Sequence, residues 1–318
     1  MVSIIIPVYG VEKYIERCAV SVLEQTYKDI EFVFVNDCTK DNSMRILQKI
    51  IEKYSHRNVV IVNKPKNEGL PQARKTGVLA SHGDYIIHFD SDDWVEKDCI
   101  EKMYNVAIES NADIVISEYF KDYTDKEIKV QTIPFESSSI GIELMLRTKN
   151  HSGVWNKLVK RSLYEKIEFP IANMHEDLAI MVQLFSYANS ISFIDSPFYH
   201  YNLSNQESIS SLSKSRVKQT QNSYKNLKLI ERFLIEKELL NKYSASFSCF
   251  VNSFKIWMMM HKETRNTEWL YSLFPQSKDY IFSDTHVSLI KKVMLYGAFH
   301  NIFFPYKIID LLHLLLRK

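Results

Sequence analysis

The stretch Asp84-Tyr85-Ile86-Ile87-His88-Phe89-Asp90-Ser91-Asp92-Asp93-Trp94 decides how this chain is read. A short apolar run, Tyr85 to Phe89, ends in three carboxylates within four residues. Its length and composition predict a buried strand. Three negative charges at one strand end repel one another unless a cation sits among them. Hard divalent ions, held by one or two carboxylates with phosphate oxygens completing the shell, meet that need. The plainer reading is an acidic turn that caps the following helix. The local pattern leaves both open.

Working outward, the flanking chain alternates between two periods. Residues 2–8 are a continuous β-prone run closed by Pro7, which cannot donate to a ladder. Residues 11–26 have helical spacing, with Val11, Tyr14, Ile15, Cys18, Val22 and Leu23 on one face. Strands are predicted over 30–35 and 58–62, helices over 43–54, 72–80 and 97–110, and a further strand over 113–117. Strands alternating with helices of this length imply a mainly parallel sheet covered on both faces. In such sheets ligands lie at the carboxyl ends of the strands. Here those ends carry Pro7-Val8-Tyr9, Asn36-Asp37 and Asp90-Ser91-Asp92-Asp93, so the acidic residues converge on one edge.

Beyond this, residues 118–150 read as irregular, with a polar turn over 121–127. A helix is expected over 178–187, directly after Glu176-Asp177, where negative charge suits a helix N-terminus. Residues 191–194 and 198–201 read as two short strands. Helices are expected over 217–238, 245–262 and 287–316.

Bulk properties fit a globular chain: 318 residues, 46% hydrophobic and 25% charged. Cys18, Cys38, Cys99 and Cys249 are scattered without a CxxC pair, which points to neither a zinc site nor a disulfide framework and makes a reducing cytoplasm the expected location. The N-terminus lacks a basic region ahead of its apolar run and does not read as a signal peptide. No apolar segment reaches the roughly 18–20 residues needed to span a bilayer. Charge is uneven: residues 211–318 hold 17 lysines and arginines against 8 acidic residues, the remainder 23 against 30. A basic C-terminal third suggests an anionic partner for it.

Four motifs now stand in order: Pro7-Val8-Tyr9, Asn36-Asp37-x-Thr39-x-Asp41-x-Ser43, Asn67-x-Gly69-x-x-x-Ala73-Arg74-x-x-Gly77, and Asp90-Ser91-Asp92-Asp93-Trp94. Together they resemble the family 2 glycosyltransferases of the GT-A fold, especially bacterial enzymes that build capsule, O-antigen and other surface polysaccharides. The resemblance is strong over residues 1–120, looser over 150–210, and general in the C-terminal third. It implies a catalytic domain over 1–210, with a donor half (1–120) and an acceptor half (121–210), and a helical, basic extension over 211–318.

The resemblance also implies roles. Asp90, Asp92 and Asp93 would hold Mn2+ or Mg2+ as a Lewis acid on the leaving diphosphate. Pro7, Val8, Tyr9, Asp37, Asn67, Gly69, Arg74 and Ser91 would line the donor, with Asp37 accepting the N3–H of uracil. Asp177 would take the proton of the attacking hydroxyl, with His175 as a rival base. The plainer readings are helix capping for Asp41, Ser43 and the Glu176-Asp177 pair, a surface position for Arg74, and packing for Trp94 and Trp155. Asn156-Lys157 matches a recurrent family dipeptide.

The chain departs from the family at Asn36 and Cys38, and between Tyr201 and Ser208, where an arginine that reaches the pyrophosphate is missing. His200, Lys214 or Arg216 would have to replace it. The expected activity is inverting transfer from a nucleotide-sugar, UDP-linked, to a glycan or undecaprenyl-linked acceptor. No nucleic acid is expected as partner. The C-terminal helices would lie on the inner face of the plasma membrane or pack on the catalytic domain or on a second subunit of a homodimer. The alternatives are a nucleotidyltransferase, although the basic glycine-rich loop of those enzymes is missing after Pro7, and a catalytically idle glycan-binding or scaffolding relative.

Overall fold

Three strands that read as unbroken apolar runs, β1 (Val2–Val8), β2 (Ile30–Asn36) and β4 (Tyr85–His88), are buried along almost their whole length. A strand covered on both faces needs no polar alternation. The computed structural model describes residues 1–205, 216–265, 274–283 and 287–300. In it these strands and β3 (Asn58–Asn63) form a parallel unit in the order β3-β2-β1-β4. Its crossovers are α1 (Ile15–Leu23), α2 (Ser43–Lys53) and α3 (Leu70–Ala80). The side-chain period of two splits the core. Ile4, Ile6, Phe32 and Phe34 face a cluster that includes α1, while Ile5, Val33 and Val35 face the cluster that includes α3. At Gly77 a Cβ would sit 2.3 Å from Ile5 Cγ2, so glycine lets α3 lie close on β1.

Past this unit the sheet is mixed. β5 (Trp94–Val95), α4 (Cys99–Glu109), β6 (Ile114–Asp122), β7 (Glu127–Val130), α5 (Ser138–Leu146), β8 (Lys157–Lys160), α6 (Arg161–Tyr164), α7 (Glu176–Tyr187) and β9 (Ile191–Asn202) follow in the chain. The sheet continues β4-β8-β6-β9-β5, with β7 paired to β6. β8 runs antiparallel between β4 and β6, and β6 is parallel to β9.

Three expectations change here. The region expected to be irregular contains the long end of β6, a β6–β7 hairpin and α5. β8 was hidden because Lys157-Leu158-Val159-Lys160 is only four residues long, with lysine at both ends. The two short strands expected over 191–201 are one strand: Asp195-Ser196-Pro197 reads as a break, but the register with β6 shifts there and pairing resumes. A bulge tolerates the proline that a regular ladder would reject.

The described C-terminal helices are α8 (Arg216–Glu236), α9 (Leu240–Met259), α10 (Lys262–Arg265), a 3-10 turn (Pro275–Tyr280) and α11 (Leu289–Phe299). Leu227, Ile230 and Leu234 of α8 and Phe247, Val251 and Met258 of α9 join α5 and α7 in the same core as α3. Of the helix expected over 287–316, α11 covers Leu289–Phe299, and positions 301–316 lie outside the described residues. Among those described, no helix is long and apolar enough to cross a membrane. The architecture is the expected GT-A type α/β fold with a helical C-terminal extension.

Candidate active site

Arg74 leaves α3 on the face that Gly77 presses to the sheet, and it is 1% exposed. A buried guanidinium needs partners, and it has three. Nη2 donates to Asp90 Oδ1 at 2.8 Å, Nη1 donates to Asp177 Oδ1, and Glu176 Oε1 lies 3.7 Å from Nη1. Burial pulls its pKa down, but Asp177, Asp90 and Glu176 outweigh this and hold it above the usual arginine value. Asp90 ends the β4 segment and Asp177 opens α7, so residues 87 positions apart sit on two nitrogens of one fork. Burial, with the charge of Asp177, raises Glu176 well above the ordinary carboxyl range. His88, beneath on β4, is kept neutral by burial and by Arg74.

The remaining acidic residues are held by β9. Tyr199 Oη donates to Asp93 Oδ2 and accepts the Asp90 backbone N–H at 3.1 Å. The Asn202 backbone N–H donates to Asp93 Oδ1 at 2.8 Å. Asp93 is therefore buried and turned inward. Asp92 is half-buried, and its Oδ2 accepts from Asn205 Nδ2 at 2.8 Å. Burial, then the charge of Asp90, pushes Asp92 up to about 6. Asp90 and Asp92 thus offer oxygen to the strand edge, while Asp93 braces the turn that presents them. A donor set of carboxylate oxygens on a partly exposed edge fits a hard divalent ion.

The loop between β3 and α3 is set by Asp37, which is itself buried. Its carboxylate accepts the Glu68 N–H at 3.0 Å and the Gly69 N–H at 2.9 Å and pairs with Lys64 Nζ at 2.9 Å. Gly69 has φ +90°, and a Cβ there would lie 2.4 Å from Asn173 Oδ1. Only glycine fits both constraints. The Asn173 loop leads into Glu176, and Asn226 on α8 clamps it, donating through Nδ2 to the carbonyls of Ala172 and Met174 at 2.7 Å each. Asn226, Tyr199, Asn202 and Asn205 are site-building residues that sequence reasoning missed. The signal for Asn226 was an amide on the apolar stripe of α8, beside Leu227 and Ile230.

Other expected site residues fall in different places. Val8 is buried, while Tyr9 is exposed beside Gly10, whose N–H donates to Thr39 Oγ1 at 2.9 Å. Asn67 is exposed and Ser91 buried. Asp41 accepts from the N–H and hydroxyl of Ser43 at the start of α2. Trp155 is buried, stacked on Tyr199 at 4.4 Å, so its ring is part of the core. Lys157 Nζ donates to the Gly153 carbonyl at 2.6 Å and to Asn156 Oδ1 at 2.7 Å, and burial lowers it to about 7. His175 packs edge-on against Phe250 and Phe254, and burial lowers it to about 4. His200 points into a separate acidic cage. Lys214 lies outside the described residues, and Arg216, at the start of α8, has its Nε 3.9 Å from Glu263 Oε2.

The family model for glycosyl transferase family 2 matches residues 3–175, more than half of the chain; it takes in Asp37, Arg74 and Asp90–Asp93 and stops short of Asp177 and β9. The chain belongs to glycosyl transferase family 2. It is 31% identical over 214 residues to the glycosyltransferase GlyA of Streptococcus pneumoniae, a match covering 64% of this chain and 30% of GlyA. It is 30% identical over 217 residues to GlyG of the same organism, covering 63% of this chain and 70% of GlyG. This chain therefore spans under a third of the length of GlyA. The fold is similar to that of S. aureus TarS 1-349 solved with UDP, with a TM-score of 0.67 at 19% identity over 97% of this chain and 90% of that one. Family membership sets the nucleotidyltransferase alternative aside.

Proposed function

We propose that this chain transfers a sugar from a UDP-linked donor onto a hydroxyl of a glycan or lipid-linked glycan in surface polysaccharide synthesis, with inversion in a single displacement. One observation carries this: Arg74 joins Asp90, at the diphosphate edge of the sheet, to Asp177, at the head of α7. Both carboxylates meet on one guanidinium, which brings the proposed base to the same edge as the proposed metal ligands. UDP and UDP-GlcNAc complexes of TarS support the choice of donor, and a mannosyltransferase of similar fold was solved with GDP-Man and Mn2+.

In this reading Asp177 accepts the proton of the acceptor hydroxyl as that oxygen attacks the anomeric carbon. The bond from that carbon to the diphosphate breaks, and the electron pair leaves with the nucleoside diphosphate. Arg74 orients Asp177 and supplies a fixed positive charge beside the leaving group. Asp37 shapes the donor pocket through the Lys64–Gly69 loop it anchors. Asp90 and Asp92 would hold Mn2+ or Mg2+, with Asp93 fixing their turn; when bound, the ion neutralises charge on the departing diphosphate. The donor domain is residues 1–120, the acceptor half 121–210, and the basic extension 211–318.

The extension is also proposed to meet the membrane that presents the acceptor. Leu289, Ile290 and Val293 of α11 are exposed beside Lys291 and Lys292, a pairing that suits an anionic lipid surface. Protein that stays in the supernatant on sedimentation with anionic vesicles would remove that part.

The decisive test is release of UDP from a panel of UDP-sugars, with GDP-sugars as controls. Asp177→Asn should keep donor affinity and lose about 10²–10⁴-fold in transfer, the range for a lost general base. If the protein bound no nucleotide-sugar, and Asp92→Ala changed neither binding nor release, the idle-scaffold alternative would replace this reading.

A further inference from the structure

A second anionic cluster lies beside β9 and takes no part in the proposed chemistry. His200 is the residue after Tyr199, so its side chain leaves the opposite face of the strand. It is buried, with its ring between Trp94 (centroids 5.0 Å apart) and Phe120 (4.7 Å), stacked on both. Nε2 lies 2.9 Å from Glu96 Oε1. Nδ1 lies 3.2 Å from Asp122 Oδ2, at the end of β6, and 3.1 Å from Glu127 Oε2, at the start of β7. One imidazole thus faces three carboxylates.

The tautomer makes the arrangement directional. With its proton on Nε2, His200 donates to Glu96, and the Nδ1 lone pair then faces two carboxylate oxygens. Three electron-rich atoms within 4.8 Å of one another make a donor set that fits a cation between them. We propose that Asp122, Glu127 and His200 form a binding site for a divalent ion of the zinc class, separate from the Asp90–Asp92 edge.

The chemistry selects that class. Imidazole suits zinc and its neighbours, whereas magnesium prefers an all-oxygen shell. Bonds of about 2.0–2.1 Å in a tetrahedron set ligand atoms about 3.3 Å apart, close to the 3.1 and 3.2 Å found here. Glu96 on the far nitrogen is the carboxylate that metal-bound histidines characteristically have behind them. Glu127 is exposed, which leaves a water-accessible fourth position. Bound there, the ion would tie the β6–β7 hairpin to β9 and to Trp94, the residue after Asp93.

The test is equilibrium dialysis of the full chain against Zn2+ in excess Mg2+, counting retained zinc by mass spectrometry. Wild type and Asp92→Ala should both retain one equivalent, and His200→Gln and Glu127→Gln should lose it. Glu127→Gln guards against misfolding, because its side chain is at the rim. Glu96→Ala should weaken binding by about 10–100-fold. Co2+ in place of Zn2+ should quench Trp94 fluorescence, with the quench gone in Trp94→Phe while the ion is still bound. Three results overturn the proposal: no zinc retained by wild type; equal retention by all variants; or loss in Asp92→Ala with retention in His200→Gln.

Discussion

The two charged clusters flanking β9 have the same ingredients and opposite construction. Around Arg74, three carboxylates surround a guanidinium that is cationic at every accessible pH. Around His200, three carboxylates surround an imidazole whose charge is optional. The first cluster carries its own fixed cation, because Arg74 supplies both a charge and the forked geometry that holds Asp90 and Asp177. The second depends on a proton or a metal. A fixed cation builds a rigid frame; a replaceable one, as in the proposed zinc site, makes a site that can load and unload.

The largest effect should come from breaking the fixed cluster. Arg74→Ala leaves Asp90, Glu176 and Asp177 close together, largely buried and uncompensated. The expected cost is about 3–5 kcal/mol, as for removal of one partner from a buried ion pair, read as a lower denaturant midpoint. Arg74→Lys should recover only part, since a point charge cannot span both carboxylates. His200→Gln, in zinc-free buffer, should cost less than Arg74→Ala, because Glu96 and Glu127 are exposed enough for water to take the lost partner's place. Equal costs would erase the distinction between the clusters.

The first cluster was largely legible in the sequence and the second was not, for a physical reason. Asp90, Asp37 and Arg74 sit at the ends of strands and helices whose periods are plain, so the βα order alone brings them to one edge. Asp177 follows because it opens a helix. The exchange that joins Asp90 to Asp177 through Arg74 was not legible, since it depends on how closely Gly77 lets α3 approach β1. Asp122, Glu127 and His200 gave no spacing signal at all. Their strands were hidden by a four-residue β7, a polar hairpin and a proline bulge, and three residues spread over nearly 80 positions meet only through the β6–β9 register. The absence of a CxxC pair spoke only to cysteine-based zinc sites.

A smaller change tests whether the clusters are independent. Tyr199→Phe removes a buried hydroxyl that donates to Asp93 and accepts the Asp90 N–H, while the ring can keep its stack on Trp155. Leaving that N–H and a carboxylate oxygen short of a partner should cost about 1–3 kcal/mol. Because successive side chains on a strand leave opposite faces, the loss belongs to the Asp90–Asp93 turn and not to His200. Donor and Mg2+ affinity should therefore fall while zinc retention stays as in wild type. If zinc were lost as well, β9 would be transmitting disorder between its faces, and the two clusters would be one site held together by a single strand.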